Sequence, residues 1–363
     1  MSTIRPLQQG DLTAVANLYE QVMRSGSRHA PPGLAPAFAR TFIDHPWTDS
    51  DIPSLVYEDG GGSIVGFIGS NVRRLKADGR SLRMGCSGPL LSEPAARNRA
   101  VGALLLRAYL QGPQDLSITD GATRTVQQIW ERLGGQTAHL HCITWTHLFK
   151  PWLAGADRIL ARRVTGGWQR RLRPLWRLLD APTTRMASRA VHVERPATTA
   201  QVLTPAALVA QLSAAPEQLR PDYDETFLEW LFDEMAQVTS WGPLVRRLVR
   251  APDGQVLGWY VAYLPPGRIG QAVQIAAPGG DVDSVVDHLF REAQDAGVSA
   301  LQGRLEAHLM ETLSQRRCIL ERGDRALIHS RDPGLLAAIA LGHATLSRME
   351  GEWWMGHHLE SFA

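Results

Sequence analysis

The sequence predicts a mixed α/β fold arranged as two units of similar layout. Three observations carry this. The first 150 residues alternate strand and helix signals. The second half runs through the same order of elements. The passage Ser54-Leu55-Val56-Tyr57-Glu58-Asp59-Gly60-Gly61-Gly62-Ser63-Ile64-Val65-Gly66-Phe67-Ile68-Gly69 is echoed by Arg246 to Ala262, each a strand, a glycine turn and a strand carrying Gly then an aromatic (Gly66-Phe67, Gly258-Trp259). The length of 363 residues suits two domains at about 150 residues each. A chain 44% hydrophobic and 20% charged can bury a core in either half.

In order, Thr3–Leu7 reads as an edge strand that tolerates Pro6. Asp11 is placed to cap a helix running to about Arg24, with Leu12, Val15, Ala16, Leu18, Tyr19 and Val22 as its apolar stripe. A second helix covers Pro36 to Asp44. Strands follow at Ser54–Glu58, Ile64–Val72 and Ser81–Leu91. Ala95–Gln111 is a helix, Leu116–Thr119 a short buried strand, Ala122–Leu133 a helix closed by Gly134-Gly135, and His139–Phe149 a strand. The second half offers helices at Thr204–Leu212 and Glu225–Met235 and a hairpin at Leu244–Val249 and Val256–Tyr263. It continues with a strand at Ile269–Ile275, a helix at Val282–Ala296, a strand at Val298–Leu305 and a helix at Ala307–Gln315. The expected organisation is therefore a first unit over 1–155, a basic connector over 156–199 and a second unit over 200–363.

Charge and cysteine usage exclude several classes. Thirty-eight basic and thirty-six acidic side chains give +2, so no global field draws the chain to nucleic acid. Cys86, Cys142 and Cys318 are odd in number and contain no CxxC, which argues against zinc ribbons and disulfide frameworks. Met1 to Leu12 is neither a signal peptide nor a transit peptide, and no uncharged apolar run reaches the roughly 18 residues of a membrane span. A soluble protein of cytoplasmic type with reduced thiols is the expectation. His139, His141, Trp145 and His147 fall on one face of the expected strand, but no further ligand is evident, so no metal is expected. Between Arg158 and Arg177 seven arginines interleave with Trp168, Leu172, Leu175 and Trp176 and no acid. This stretch either lies on an anionic membrane surface or connects the two units, and a connector is favoured.

The segment that carries chemistry is Leu90-Leu91-Ser92-Glu93-Pro94-Ala95-Ala96-Arg97-Asn98-Arg99-Ala100-Val101-Gly102-Ala103. A strand ends, a short loop turns and a helix starts on small residues. Free N–H groups and the positive end of the dipole suit an anion there, small side chains allow close approach, and Arg97 and Arg99 add charge. The competing reading is that the small residues merely let the helix pack close to the sheet.

This segment resembles the acyl-CoA loop of the GNAT (GCN5-related N-acetyltransferase) superfamily, which shows Arg/Gln-x-x-Gly-x-Gly/Ala after a strand and a Val-x-Pro. Here Arg97-x-x-Ala100-x-Gly102 matches with Ala for the first Gly, Pro94 matches the proline, and Ser92 stands for valine. The opening Ile4-Arg5-Pro6-Leu7 with Asp11-Leu12 and Leu18-Tyr19, and the strand Ile64–Ile68, resemble that family too. The resemblance covers residues 3–150 and extends over 200–350 only as a degenerate second copy. It implies two GNAT-like units, each a mixed, mostly antiparallel, splayed sheet flanked by helices. It implies acetyl-CoA or another acyl-CoA as co-substrate, its pantetheine arm along Leu90, Leu91 and Ser92 and its pyrophosphate on the amides of Asn98, Arg99, Ala100, Val101, Gly102 and Ala103.

The implied activity is transfer of an acyl group, acetyl foremost, to an amine on a small-molecule acceptor by direct attack. Two rival readings are a CoA-binding scaffold without turnover, and a transferase using long-chain acyl-CoA or acyl-carrier protein. The family's tyrosine acid is replaced by Trp130, whose indole N–H cannot serve as an acid; ordinary helix packing is its alternative reading. Asp120, just after a strand at the mouth of the expected splay, and Glu58, at a strand end, are the candidate bases. Asp120 could instead cap the following helix, Glu58 be merely solvated, and Cys86 be a buried inert thiol. The second copy places Ala277-Pro278-Gly279-Gly280-Asp281-Val282-Asp283 where a CoA loop would fall. It carries no arginine, and its two acids disfavour phosphate. The Trp353-Trp354 pair is expected to pack a last strand against the sheet.

Overall fold

A computed structural model describes residues 2–94, 100–151, 198–213, 219–278 and 280–362. From the N-terminus run β1 (Thr3–Pro6), α1 (Leu12–Met23), α2 (Leu34–Phe42), β2 (Leu55–Glu58), β3 (Ile64–Ala77), β4 (Arg80–Ser92), α3 (Val101–Leu110), β5 (Leu116–Ala122), α4 (Arg124–Arg132), β6 (Gln136–Thr137) and β7 (Ile143–Leu148). Then come β8 (Thr199–Val202), α5 (Pro205–Ser213), β9 (Arg220–Pro221), α6 (Glu225–Ala236), β10 (Leu244–Arg250), β11 (Val256–Tyr263) and β12 (Ile269–Ala276). The chain ends with α7 (Val282–Asp295), β13 (Ala300–Arg304), α8 (Met310–Gln315), β14 (Ile319–Arg322), β15 (Arg325–His329) and α9 (Pro333–Ala340).

These elements form two compact units that interleave along the chain. The first comprises residues 1–139, 217–238 and 324–363, the second 140–216 and 239–323. The division differs from the single cut expected at 156–199. The reason is an exchange of strands. β7, from the first half of the sequence, pairs with β13 and β14 in the second sheet; β15, from the second half, pairs with β5 and β6 in the first. Residues 156–197 of the connector, including the arginine–tryptophan stretch, lie outside the described residues.

The first sheet has the order β1-β2-β3-β4-β5-β15-β6, with β9 added on β3; the second has the order β14-β7-β13-β12-β11-β10-β8. Each contains one parallel pair, β4–β5 and β12–β13 respectively, among antiparallel neighbours. The two echoing passages form the β2–β3 and β10–β11 hairpins. Each hairpin ends beside the first strand of its sheet's parallel pair.

In the first unit, both faces of the sheet are covered. Val56, Phe67 and Leu91 pack against Val15, Tyr19, Phe38 and Phe42 of α1 and α2. Val65, Ile68 and Val72 pack against Val101, Leu105, Leu106 and Tyr109 of α3 and Trp130 of α4. In the second unit, Trp145 of β7 joins Tyr260, Val285, Leu289, Phe290 and Leu301 in one core. The expected strand over 139–149 is broken: residues 140–142 form a 3-10 turn and only Ile143–Leu148 is strand. The expected shared face of His139, His141 and His147 is therefore lost. Among the described residues no cluster of three or more His, Cys, Asp or Glu has metal-binding geometry. The strands β8, β14 and β15 and helix α9 were not expected, and Trp353–Met355 is a 3-10 turn rather than a strand partner. Among the described residues no helix is long and apolar enough to cross a membrane.

Local capping also departs from expectation. Asp11 sits at the start of α1 without capping it. Its carboxylate accepts from both Arg5 Nη atoms at 2.7 and 2.9 Å and from Gln8 N at 2.9 Å. Thr123, not Asp120, caps α4, its hydroxyl accepting from Val126 N at 3.3 Å.

Two glycines near α3 separate packing from function. A Cβ on Gly66 would lie 2.5 Å from Val101 Cγ1 and 2.9 Å from Leu105 Cδ1, so α3 needs glycine there to approach the sheet. A Cβ on Gly102 would meet only Leu90 Cδ2, at 3.9 Å. Gly66→Ala is expected to destabilise the fold by about 1–3 kcal/mol through overpacking. Gly102→Ala is expected to leave stability unchanged or raise it by up to about 1 kcal/mol, the helix-propensity gain. Thermal melts of the two variants check this; equal destabilisation would contradict it.

Candidate active site

The site begins where a strand ladder stops. The parallel pairing of β4 with β5 covers Met84–Leu116, Gly85–Ser117 and Cys86–Ile118 and ends there. β4 continues to Ser92 on the edge of β3, and β5 continues to Ala122 beside β15. Between them the sheet splays, as expected, and the backbone groups that face the gap lack ladder partners.

At the outer end of the gap lies the start of α3. Ala100 precedes the helix with φ +54°, in the left-handed region, and among the described residues no side chain caps the turn. That conformation explains why glycine belongs there: an L-residue in the left-handed region costs roughly 1 kcal/mol. The uncapped amides of Val101, Gly102 and Ala103 point out of the helix start. Because a Cβ at Gly102 would meet little protein, the bare backbone there is not demanded by packing against the sheet. Leu91 is buried beneath α1 and α2, Leu90 packs partly exposed beside α3, and the buried Ser92 hydroxyl has no hydrogen-bond partner among the described residues. Arg97, Asn98 and Arg99 lie outside the described residues.

A residue the sequence reading passed over fills the inner end. Glu352, in the first unit's C-terminal segment, places its carboxylate in the splay. It accepts from Asp120 N at 2.9 Å, from Gly121 N at 3.0 Å and from the Thr119 hydroxyl. The Cys86 thiol donates to it at 3.4 Å. Burial, and then the charge of neighbouring Asp120, push Glu352 up to about 8, against the hydrogen bonds from Thr119 and Asp120 N. The glycines fit around it: a Cβ on Gly88 would sit 3.0 Å from Glu352 Cγ. The Cys86 thiol is fully buried and pushed well above its ordinary range by that burial, consistent with an unreactive thiol.

Asp120 lies at the splay, with its carboxylate engaged by backbone. Its carboxylate accepts from Glu352 N and Trp353 N, both at 3.0 Å. Each acid thus receives the other's backbone N–H, a reciprocal clasp that fixes the C-terminal turn on β5. A Cβ at Gly351 would overlap Asp120 at 2.1 Å, so the clasp requires glycine there. Glu58 is elsewhere. It ends β2, two strands from β4 in the sheet order, and pairs with Arg5 at 2.8 Å. Trp130 also lies away from the gap: it is fully buried, and its indole N–H donates to the Ile328 carbonyl at 2.9 Å. It is a core residue of the α4 face.

A polar cluster backs Glu352 on the α2 and α6 side of the sheet. Arg73 is fully buried, with Phe227 and Trp354 rings 5.1 and 5.8 Å from its guanidinium, and its Nε and Nη2 have no hydrogen-bond partner among the described residues. Burial and the adjacent Arg73 lower His45 to about 3, so it stays neutral. Tyr223 donates to Glu350, which also accepts from the Ser347 hydroxyl at 2.7 Å. Trp354 and Met355, in the turn after Glu352, also line a cleft of about 230 Å³ with Thr41, Arg40, Glu234 and His357.

In the second unit the corresponding helix start is closed by its own acids. Asp281 caps α7, accepting from Ser284 N at 3.2 Å and Ser284 Oγ at 2.6 Å, and Asp283 pairs with Arg316 at 2.7 Å.

No family model matches the sequence, and no curated protein matches it. Solved structures do. A conserved protein of Enterococcus faecalis V583 described as a probable N-acyltransferase aligns over 91% of this chain and 73% of its own, with 8% identity and a TM-score of 0.58. A GCN5-related N-acetyltransferase from Anabaena variabilis aligns over 95% and 75%, with 11% identity and a TM-score of 0.57. Saccharomyces cerevisiae N-myristoyltransferase with bound myristoyl-CoA aligns over 91% and 78%, with 11% identity and a TM-score of 0.52. With a splayed parallel pair and a bare helix start beside it, the first unit agrees with what these alignments show over nearly the whole chain: this protein has the fold of the GCN5-related N-acetyltransferases.

Proposed function

We propose that the protein is an acyltransferase that moves an acyl group from CoA, acetyl foremost, to the amine of a small acceptor. One observation supports this above the rest: the β4–β5 gap has an uncapped helix start at one end and a carboxyl raised to about 8 at the other. A diphosphate suits the first and proton transfer suits the second.

In this reading the pyrophosphate lies on the amides of Val101, Gly102 and Ala103, helped by Arg97 and Arg99. The pantetheine arm follows the unpaired edge of Leu90 to Ser92. The acceptor enters by the cleft beside Trp354 and Thr41. Its amine attacks the thioester carbonyl carbon, forming the C–N bond. The tetrahedral intermediate collapses with loss of the C–S bond, and the CoA thiolate leaves. Glu352 takes the proton that the nitrogen sheds. Burial raises the proton affinity of Glu352 from the carboxylate range toward that of a thiol, so the same group can return that proton to the thiolate. No separate tyrosine acid is then required, which accommodates the core position of Trp130.

The scaffold reading has its own support, since the Glu352 carboxylate already satisfies the Asp120 and Gly121 amides in the gap. Acceptor-dependent release of free thiol decides between the two. A long acyl chain or an acyl-carrier protein as donor is separated from acetyl-CoA by comparing the donors in the same assay.

Three outcomes are expected. Calorimetric titration with acetyl-CoA shows binding that an Arg97→Glu/Gly102→Glu double variant loses; binding retained by the variant would move the cofactor elsewhere. The rate of transfer rises with pH through about 8, because the base must be ionised, and Glu352→Gln lowers kcat by roughly 10²–10⁴ and removes that rise. Stability moves the other way. The folded-state value for Glu352 lies above its ordinary value of 4.5, so its contribution is whole below pH 4.5 and fades as pH climbs through 8. Melting temperatures from pH 5 to pH 9 therefore fall more steeply in the wild type than in Glu352→Gln; parallel curves would refute the burial of that charge.

A further inference from the structure

The first unit carries a second, unrelated concavity. It measures about 400 Å³ and is lined by Arg107, Leu110 and Gln111 of α3 and its end, Arg132 and Leu133 at the end of α4, and His329 and Arg331 at the end of β15. Three guanidiniums and an imidazole face one space, and no acid is among the described residues that line it. Its size falls within the range of about 300–1,000 Å³ usual for small-molecule sites.

The cations are not spent on one another's neighbours. Arg331 donates through Nη2 to the carbonyls of Gln111 and Gly112 at 2.8 and 3.1 Å, which anchors it over the end of α3. Among the described residues, the side chains of Arg107, Arg132 and His329 make no ion pair or hydrogen bond. A basic residue in the last turn of a helix ordinarily offsets the dipole, and that alone would explain one arginine on α3 and one on α4. It does not explain why both turn toward the same hollow as Arg331 and the half-buried His329. Exposed arginines repel one another only weakly through solvent, so what sets this hollow apart is the convergence of their N–H donors and positive charge on one space, which suits an anion. Guanidiniums bind phosphoryl oxygens in paired, charge-assisted fashion, and Leu110 and Leu133 supply an apolar floor.

We propose that this hollow binds a small compound carrying two or more phosphoryl groups, at a site separate from the start of α3. The two sites share α3 but stand at opposite ends of it, about 15 Å apart. The proposal does not depend on the transferase reading, and its test needs no turnover.

The test is calorimetric titration of the full chain with inorganic pyrophosphate at low salt. Three proteins are compared: wild type, Arg107→Ser/Arg132→Ser and Gly102→Glu. Both arginines are exposed, so their loss spares the core, and Arg331 is left in place to hold α3. Circular dichroism melts confirm that all three are folded. The expected result is binding by wild type and Gly102→Glu, weakened at least tenfold in the arginine variant and by added salt. Binding lost in Gly102→Glu but kept in the arginine variant would place the probe at the α3 start and overturn the proposal. Absence of binding would overturn it too. Flotation with vesicles of anionic phospholipid, lost in the arginine variant while pyrophosphate shows no binding, would assign the patch to a membrane surface instead.

Discussion

The architecture of the site depends on the point where one strand ladder ends. β4 and β5 pair only as far as Cys86 and Ile118, and everything functional follows from what their unpaired edges then do. A buried backbone N–H without a partner is expensive, and roughly 1–3 kcal/mol rides on satisfying each one. On the β5 side, Asp120 N and Gly121 N are satisfied by Glu352. On the β4 side, the edge from Leu90 to Ser92 remains available to a ligand arm.

The clasp between Asp120 and Glu352 shows how a fold can hold a carboxyl at an unusual value without losing the group to solvent. Burial alone would favour the neutral acid and expel the charged one. Four donors hold the carboxylate in place, while burial and the adjacent charge keep its proton affinity high. Asp120 serves this by binding backbone rather than solvent. Gly88 and Gly351 leave the room that the arrangement needs.

Much of this was legible locally. The run from Leu90 to Gly102 announces a strand, a turn and a bare helix start, and the structure places Leu90 to Ser92 and Ala100 to Ala103 together beside the gap. Asp120 could be put at the mouth of the splay because it follows a short buried strand. Its role could not be read, because the group it binds is 232 residues away along the chain. The same limit hid the exchange of β7 and β15. Alternation tells that Ile143–Leu148 is a strand but not which sheet receives it, and the pairing that decides this is with residues 300–304 and 319–322. Glu352 carries no local signal at all, lying in a segment without regular strand or helix periodicity. Glu58 looked plausible only while its partner Arg5, across the β1–β2 pair, was unseen.

The central claim is that the start of α3 and the Glu352 carboxyl serve opposite ends of one bound acyl-CoA. A crystal structure with a non-hydrolysable acyl-CoA analogue tests it most directly. The expected complex has the diphosphate on the amides of Val101 to Ala103, the arm along Leu90 to Ser92, and the acyl carbonyl within one water or amine of Glu352. An analogue bound away from α3, or an acyl group that stops outside a gap still sealed by Glu352, would contradict it.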